Sequence, residues 1–235
     1  MTVIYHVIYH KSENVPYAQI KRGIILNHSL SQQVYEKLLN RILYNELVPG
    51  EMINRREVAA TLGVSVAPTL EAMLQLETEG FLETIPRKGT RIRVITDEDL
   101  RGQIVLRQAL ECQAARLYHG RLVTAHGTRL AKLAQKVDAS TIGSRENWQS
   151  EIVFHRALVE LADCPALLRE FNKVMRLSLF FSANKSTTIN FNAKYDRIIK
   201  SHLELVRNLE TDDPDQAEKL LREHLTSGLL SKYDK

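Results

Sequence analysis

The residues best suited to chemistry are one glutamate and three histidines in the second half of the chain. Glu151 and His155 are four positions apart, so a helix places both on one face. His202 and His224 fall on two later predicted helices, and a helical bundle brings inward-facing positions together. A carboxylate and three imidazoles suit Zn²⁺, Ni²⁺ or Mn²⁺ and leave positions open for a further ligand. Spacing alone leaves a second interpretation open, because an isolated helical histidine is more often a surface or hydrogen-bonded residue.

The composition of the 235-residue chain is that of an ordinary globular protein, with 44% hydrophobic and 26% charged residues. No apolar run approaches the roughly 20 residues that span a bilayer, and the N-terminus lacks the features of a signal peptide. The two cysteines, Cys112 and Cys164, have neither metal-ligand spacing nor a disulfide pattern. These features predict a cytoplasmic protein without a membrane partner. The net charge of +4 is only a weak indication of an anionic partner.

The region from 30 to 96 has the pattern of a winged helix-turn-helix, and residues 1–29 form a tail before it. Three helices and then two strands are predicted, at 31–45, 55–62, 65–79, 81–85 and 90–95. Gly63 supplies the tight turn between the second and third helices, with Ser31 and Ser65 as N-caps. A basic turn separates the strands. The alternative is a small α+β domain that has no nucleic-acid role.

From residue 97 to residue 235 the chain shows helical patterns and no strand signal. The predicted helices lie at about 98–119, 125–138, 144–163, 165–183, 190–210 and 213–230. Six antiparallel helices of this length form a bundle that can enclose a pocket. The predicted fold is therefore mainly α: a winged helix-turn-helix of three helices and a β-hairpin wing, followed by an all-α six-helix sensor domain.

Short motifs in both predicted domains carry a family resemblance. In the first domain they are Arg56 to Ala59, Leu62 to Ser65, Pro68, Glu71-Ala72, Leu76 to Phe81 and Pro86 to Thr90. In the second domain they are Arg107, Glu111, Glu151 to His155, His202 and His224. With these motifs the chain resembles the GntR superfamily of bacterial transcription regulators, of the FadR/VanR type with an FCD ligand-binding domain. The resemblance covers about residues 30–230.

The resemblance implies a DNA-binding surface on the helix-turn-helix and the wing. Arg56 matches a family arginine that contacts DNA, and the wing tip Arg87, Lys88 and Gly89 matches as well. We expect Arg91 to add a phosphate contact, with a solvated strand face as the alternative.

The recognition helix departs from the family pattern, which is typically Ser-Arg-x-Pro-Val-Arg-Glu-Ala. Val66 and Leu70 replace its two arginines, the residue type that grips guanine through two hydrogen bonds. We expect both aliphatic side chains to contact thymine methyl groups in an A/T-rich operator. Ser65 and Thr69 are expected to bond to phosphates or base edges. Weak DNA binding, or a surface for a protein partner, is the alternative.

The resemblance also changes the interpretation of the histidines. His155, His202 and His224 fall where FCD domains carry three metal-binding histidines, and Glu151 stands where an aspartate is usual. We therefore expect one divalent metal ion per chain, with Zn²⁺ favoured over Ni²⁺ or Mn²⁺.

Two arginines are candidate contacts for an effector, which we expect to carry a carboxylate. Arg107 matches a family arginine near the ligand pocket, and Arg176 is a candidate on pattern alone. Salt bridges within the bundle are the alternative role for both. The polar segment with Asn190, Asn192 and Tyr195 is a further candidate pocket lining.

The sequence thus predicts a homodimeric repressor that binds a double-stranded, roughly palindromic DNA operator and responds to a small organic acid. The resemblance implies a regulator and not an enzyme. Two rival hypotheses remain: a regulator with degenerate DNA recognition that acts through protein contacts, and a metal-dependent enzyme whose ion activates water.

Overall fold

The computed structural model describes residues 29–142, 144–185 and 201–227. The chain forms two compact units that divide between Val94 and Ile95, and each is described by itself. The tail before residue 29 and the proposed pocket residues Asn190, Asn192 and Tyr195 lie outside the described residues.

The first unit is a winged helix with three helices and a small sheet. Its elements are α1 (Leu30–Leu43), β1 (Met52–Ile53), α2 (Arg55–Leu62), α3 (Val66–Thr78), β2 (Leu82–Ile85) and β3 (Gly89–Ile92). The sheet is antiparallel in the order β1-β3-β2, with β3 paired on both sides. Strand β1 was not predicted, because two residues are too few to show an alternating pattern.

The turn between α2 and α3 sets the recognition helix at 118° to its predecessor, near the crossing typical of helix-turn-helix motifs. Gly63 adopts a φ of +66° there, which glycine accepts without the steric cost of a Cβ. Ser65 occupies the N-cap of α3 as predicted, although its side chain makes no capping bond. The predicted cap at Ser31 is wrong, since Ser29 caps α1 by accepting from the Gln32 amide.

The second unit contains six described helices. They are α4 (Asp97–Tyr118), α5 (Arg121–Asp138), α6 (Arg145–Glu160), α7 (Pro165–Lys185), α8 (His202–Asn208) and α9 (Pro214–Ser227). Helix α5 begins four residues before its predicted start. Of the helix predicted over 190–210, the described part is α8 with the residues that border it. The winged helix followed by a helical bundle confirms the predicted fold class.

Helix α4 is the central element of the bundle, packed on α6, α7 and α9. A capping box fixes its first turn, where the Thr96 hydroxyl accepts from the Asp99 amide and the Asp99 carboxylate accepts from the Thr96 amide. Its inward face buries Ile104, Glu111 and Tyr118. A long helix with a fixed start therefore carries one buried acid into the bundle.

Among the described helices, none alone is long and apolar enough to cross a membrane. The pair α2 and α3 meets that test only when the two are taken together across their bend.

Candidate functional site

Three buried histidines from three helices meet inside the second unit. His155 comes from α6, His202 from the first position of α8 and His224 from α9. One ligand nitrogen from each lies within 4.8 Å of the other two, and all three side chains are buried. The structure thus brings together the three predicted histidines.

Glu151 completes the group from one turn before His155. Its Oε2 is 3.2 Å from Nε2 of His155, and its Oε1 is 3.1 Å from Nε2 of His202. For comparison, two ligands that each lie about 2.1 Å from one ion are roughly 3.0 Å apart at a right angle and roughly 3.4 Å apart at the tetrahedral angle of zinc. The side chain of glutamate, although longer than the aspartate that is usual at this position, therefore brings its carboxylate to the two histidines.

Two further carboxylates hold the outer nitrogens of the imidazoles. Glu111 Oε2 is 2.6 Å from Nδ1 of His155, and Asp138 Oδ1 is 2.7 Å from Nδ1 of His202. Such carboxylate–histidine contacts fix the ring orientation and the tautomer of metal-binding histidines. Each Nε2 is thereby directed toward the Glu151 carboxylate.

Sequence reasoning missed Asp138 entirely. It is the last residue of α5, a position where a carboxylate opposes the helix dipole. It faces instead the N-terminus of α8, where it accepts from the amides of His202 and Leu203 and from the Ser201 hydroxyl. An acid at the C-terminal end of a predicted helix was the available signal.

The two inner Nε2 atoms create an electrostatic requirement. A neutral imidazole has one N–H, and in His155 and His202 it is committed to Glu111 and Asp138. The lone pairs of both Nε2 atoms then face the oxygens of Glu151, which repel them. Nε2 of His202 is buried and makes no hydrogen bond of good geometry within the described residues. A proton on each ring or one shared cation relieves this repulsion, so the donor set fits a divalent metal ion.

The acidities of the group follow from burial and neighbouring charge. Burial alone would raise the pKa of Glu111, but Arg107 and His155 outweigh it and lower the pKa to about 2. Burial likewise opposes ionisation of Glu151, yet its contacts with His155 and His202 hold its pKa well below the ordinary value. Both carboxyl groups are therefore anionic at neutral pH.

Two of the histidines have pKa values that are shifted in opposite directions. Burial, followed by the charges of His155 and His202, lowers the pKa of His224 to about 3, so this ring is neutral and ready to act as a ligand. For His155, burial lowers the pKa but Glu111 and Glu151 more than compensate, and the net pKa lies above its ordinary value. The two acids therefore favour the protonated form of His155.

Apolar packing closes the group. The ring of Phe154 lies edge-on to the imidazoles of His155 and His202, with centroid distances of 5.2 and 5.1 Å. This buried ring restricts both histidines to one orientation and keeps the surrounding dielectric low.

The two predicted effector arginines lie in the same bundle. Arg107 donates through Nε to Glu111 Oε1 at 2.7 Å, and its buried Nη2 makes no hydrogen bond within the described part of the chain. A salt bridge was the alternative role considered for Arg107. The bridge to Glu111 still leaves Nη2 available as a donor. Arg176 is buried on α7.

The predicted DNA-contacting residues of the winged unit are mostly on its surface. Arg56, Ser65, Val66, Leu70, Arg87, Lys88 and Gly89 are exposed. The Asn54 side chain caps α2 by accepting from the Arg56 amide at 2.9 Å, which fixes Arg56 in the first turn. At the wing, Arg87 and Gly89 have φ angles of +66° and +110°, forming the tight turn between the strands.

Two predicted contacts need revision. Thr69 is fully buried and donates to the carbonyl of Ser65 at 3.2 Å, so the prediction that it bonds to DNA is wrong. Arg91 is half-buried and pairs with Glu83 across the strands at 2.8 Å. A phosphate contact by Arg91 would compete with this ion pair.

Replacing the buried acid Glu111 tests the electrostatics of the group. In Glu111→Gln the largely buried Arg107 loses its counterion, so we expect the free energy of unfolding at pH 7 to fall by roughly 3 kcal/mol. The folded-state pKa is depressed, so this contribution is full above pH 4.5 and is lost as pH falls toward about 2. The difference between wild type and variant in denaturant unfolding should narrow over that range. The exposed control Glu170→Gln should unfold like wild type, and an equally stable Glu111→Gln would contradict the account.

Comparison with known proteins agrees with this architecture. The family model of bacterial regulatory proteins of the gntR family matches residues 30–92, and that of the FCD domain matches residues 103–227. A protein described as the "Probable D-xylose utilization operon transcriptional repressor" of Paenarthrobacter nicotinovorans is 30% identical, covering 86% of this chain and 88% of that protein. The transcriptional repressor RspR of Escherichia coli K12 is 22% identical, covering 83% and 86%.

A solved structure shows the same fold. The GntR regulator from Rhodococcus sp. RHA1 aligns with a TM-score of 0.67 at 20% identity, covering 88% of this chain and 100% of that one. The two matched domains, and their order along the chain, are those of a single protein family. The chain therefore belongs to the gntR family of bacterial regulatory proteins and is a transcription regulator with an FCD domain.

Proposed function

We propose that this regulator is a ligand-responsive repressor whose helical domain holds one divalent metal ion and binds a small organic acid. The observation that carries the proposal is the pair of Nε2 atoms, on His155 and His202, held 3.2 and 3.1 Å from one carboxylate. Repression is proposed because the relatives from P. nicotinovorans and E. coli are described as repressors.

Four side chains would hold the ion: Glu151, His155, His202 and His224. Neutral imidazole and carboxylate donors suit Zn²⁺, with Ni²⁺ and Mn²⁺ as alternatives. Such an ion would supply positive charge and open positions for the carboxylate of an effector. Glu111 and Asp138 would keep two of the rings in the tautomer that ligation requires.

Arg107 is proposed to bind the effector. Its side chain is largely buried and already neutralises Glu111 through Nε, while the buried Nη2 retains a donor. An arginine presents several N–H groups in a fixed plane, so one guanidinium can serve two carboxylates. Arg176 remains a second candidate on the strength of its burial in the same bundle.

Chain connectivity suggests how the signal leaves the site. Helix α4 carries Arg107 and Glu111, and it begins at Asp97, directly after the boundary between the two units. A shift of α4 on effector binding would act at once on the segment that leads to the winged unit. We propose that two copies of the chain bind the two halves of a palindromic operator, so that such shifts change the fit of both winged units.

The proposed metal site is tested by elemental analysis and calorimetric titration after chelator treatment. Wild type should take up one ion per chain and melt at a higher temperature with metal, because the ion binds only the folded state. His202→Ala should lose more than about 100-fold in metal affinity, since even residues that only orient a ligand are worth 10–100-fold. The control His126→Ala removes an exposed histidine of α5 and should behave as wild type. A His202→Ala protein with full metal content would show that the site is wrong.

DNA binding is tested by gel shift with the DNA upstream of the protein's own coding region. The affinity for DNA should fall steeply as the salt concentration rises. Arg56→Ala should weaken binding and reduce by about 1 the slope of log affinity against log salt concentration. Arg169→Ala, which removes an exposed arginine of α7, should leave both the affinity and the salt slope unchanged. An acid that raises the melting temperature should then change operator affinity, by the same factor by which the operator changes affinity for the acid. Absence of any salt-sensitive binding would favour a regulator that acts through protein contacts.

A further inference from the structure

The recognition helix α3 exposes a stripe of aliphatic side chains. Val66, Leu70 and Leu74 are spaced four residues apart and are 41%, 38% and 52% exposed. The opposite face buries Met73 and Leu76 in the core of the winged unit. The exposed face also carries Glu71 and Gln75, so the stripe is an apolar row within a mixed surface. An exposed apolar row of this kind marks a contact surface.

The same helix carries no lysine or arginine over its 13 residues. It therefore has no side chain that grips guanine as arginine does and no cationic side chain for phosphates. Exposed cations of the unit lie on other elements, among them Arg55 and Arg56 at the start of α2, Arg87 and Lys88 at the wing turn, and Lys37 on α1. Contacts of cationic side chains with the phosphate backbone are thus assigned to elements other than α3, and the main feature that α3 offers to the bases is its apolar stripe.

We propose that α3 recognises its operator through thymine methyl groups, so that each half-site is rich in A·T pairs. The thymine C5-methyl is the apolar group that base pairs present in the major groove. Four residues of helix rise about 6 Å, against about 3.4 Å per base pair, so neighbouring members of the stripe reach thymines about two pairs apart. Structure adds Leu74 to the set suggested by the sequence and removes Thr69, which is buried.

The inference rests on the proposed DNA binding of the winged unit. A DNA partner is favoured over a protein because the stripe lies on the second helix of a helix-turn-helix, in a family of transcription regulators, and cationic residues precede and follow it. An apolar groove on a protein partner would contact the stripe but would not contact these cations.

The experiment compares thymine with uracil, which differ only by the methyl group. A duplex selected from a random library with wild-type protein is resynthesised with deoxyuridine in place of every thymine of the half-sites, and both duplexes are titrated by fluorescence anisotropy. Wild type should bind the uracil duplex about fourfold more weakly for each methyl group it contacts. Leu70→Ala should bind the thymine duplex more weakly and should discriminate less between the two duplexes.

Two control variants separate this effect from general losses. Arg56→Ala should weaken binding to both duplexes by the same factor. Leu106→Ala removes an equally exposed leucine of the helical domain and should change neither affinity. Selection of G/C-rich sites, equal affinity for the two duplexes, or a Leu70→Ala protein with wild-type discrimination would overturn the inference while leaving salt-sensitive DNA binding intact. Loss of all DNA binding by wild type would instead overturn the proposed function.

Discussion

The second domain depends on one arrangement of buried charge. Two imidazoles are held from outside by carboxylates, Glu111 at 2.6 Å and Asp138 at 2.7 Å, and both direct their other nitrogen at Glu151. Arg107 forms an ion pair with Glu111. Three acids and one guanidinium leave an excess of two negative charges, which a divalent cation balances. Without a cation, His155 is the histidine whose raised pKa favours the charged form beside these acids, and metal binding then competes with a proton.

This arrangement also ties distant parts of the chain together. The Glu111–His155 contact joins α4 to α6 across 44 residues, and the Asp138–His202 contact joins α5 to α8 across 64. Each contact replaces water around a charged group, so that group is stable only while its partner remains in place. Because α4 leads directly from the winged unit, the charge cluster and the DNA-binding unit share a covalent connection. This is the physical basis for the proposal that occupancy of the site is communicated to DNA.

The sequence predicted much of this, and the exceptions have identifiable physical causes. Apolar periodicity gave the order of the elements, and the family motifs gave the three histidines that the structure brings together. Asp138 was missed because its contacts with His202 depend on how two helices pack, which no local pattern records. Thr69 was misplaced because the motif was given more weight than helix geometry. It precedes Met73 and Leu76 by four and seven residues, which places it on the buried stripe.

The central claim is that the buried carboxylate–histidine group is a metal centre. Its most direct test is an anomalous difference map from crystals of the metal-loaded protein, recorded at the absorption edge of the ion. We predict one peak per chain, about 2.1 Å from Nε2 of both His155 and His202 and beside the Glu151 carboxylate. A map with no peak there, or with peaks only at surface histidines, would contradict the account and leave protons as the counterions of the buried acids.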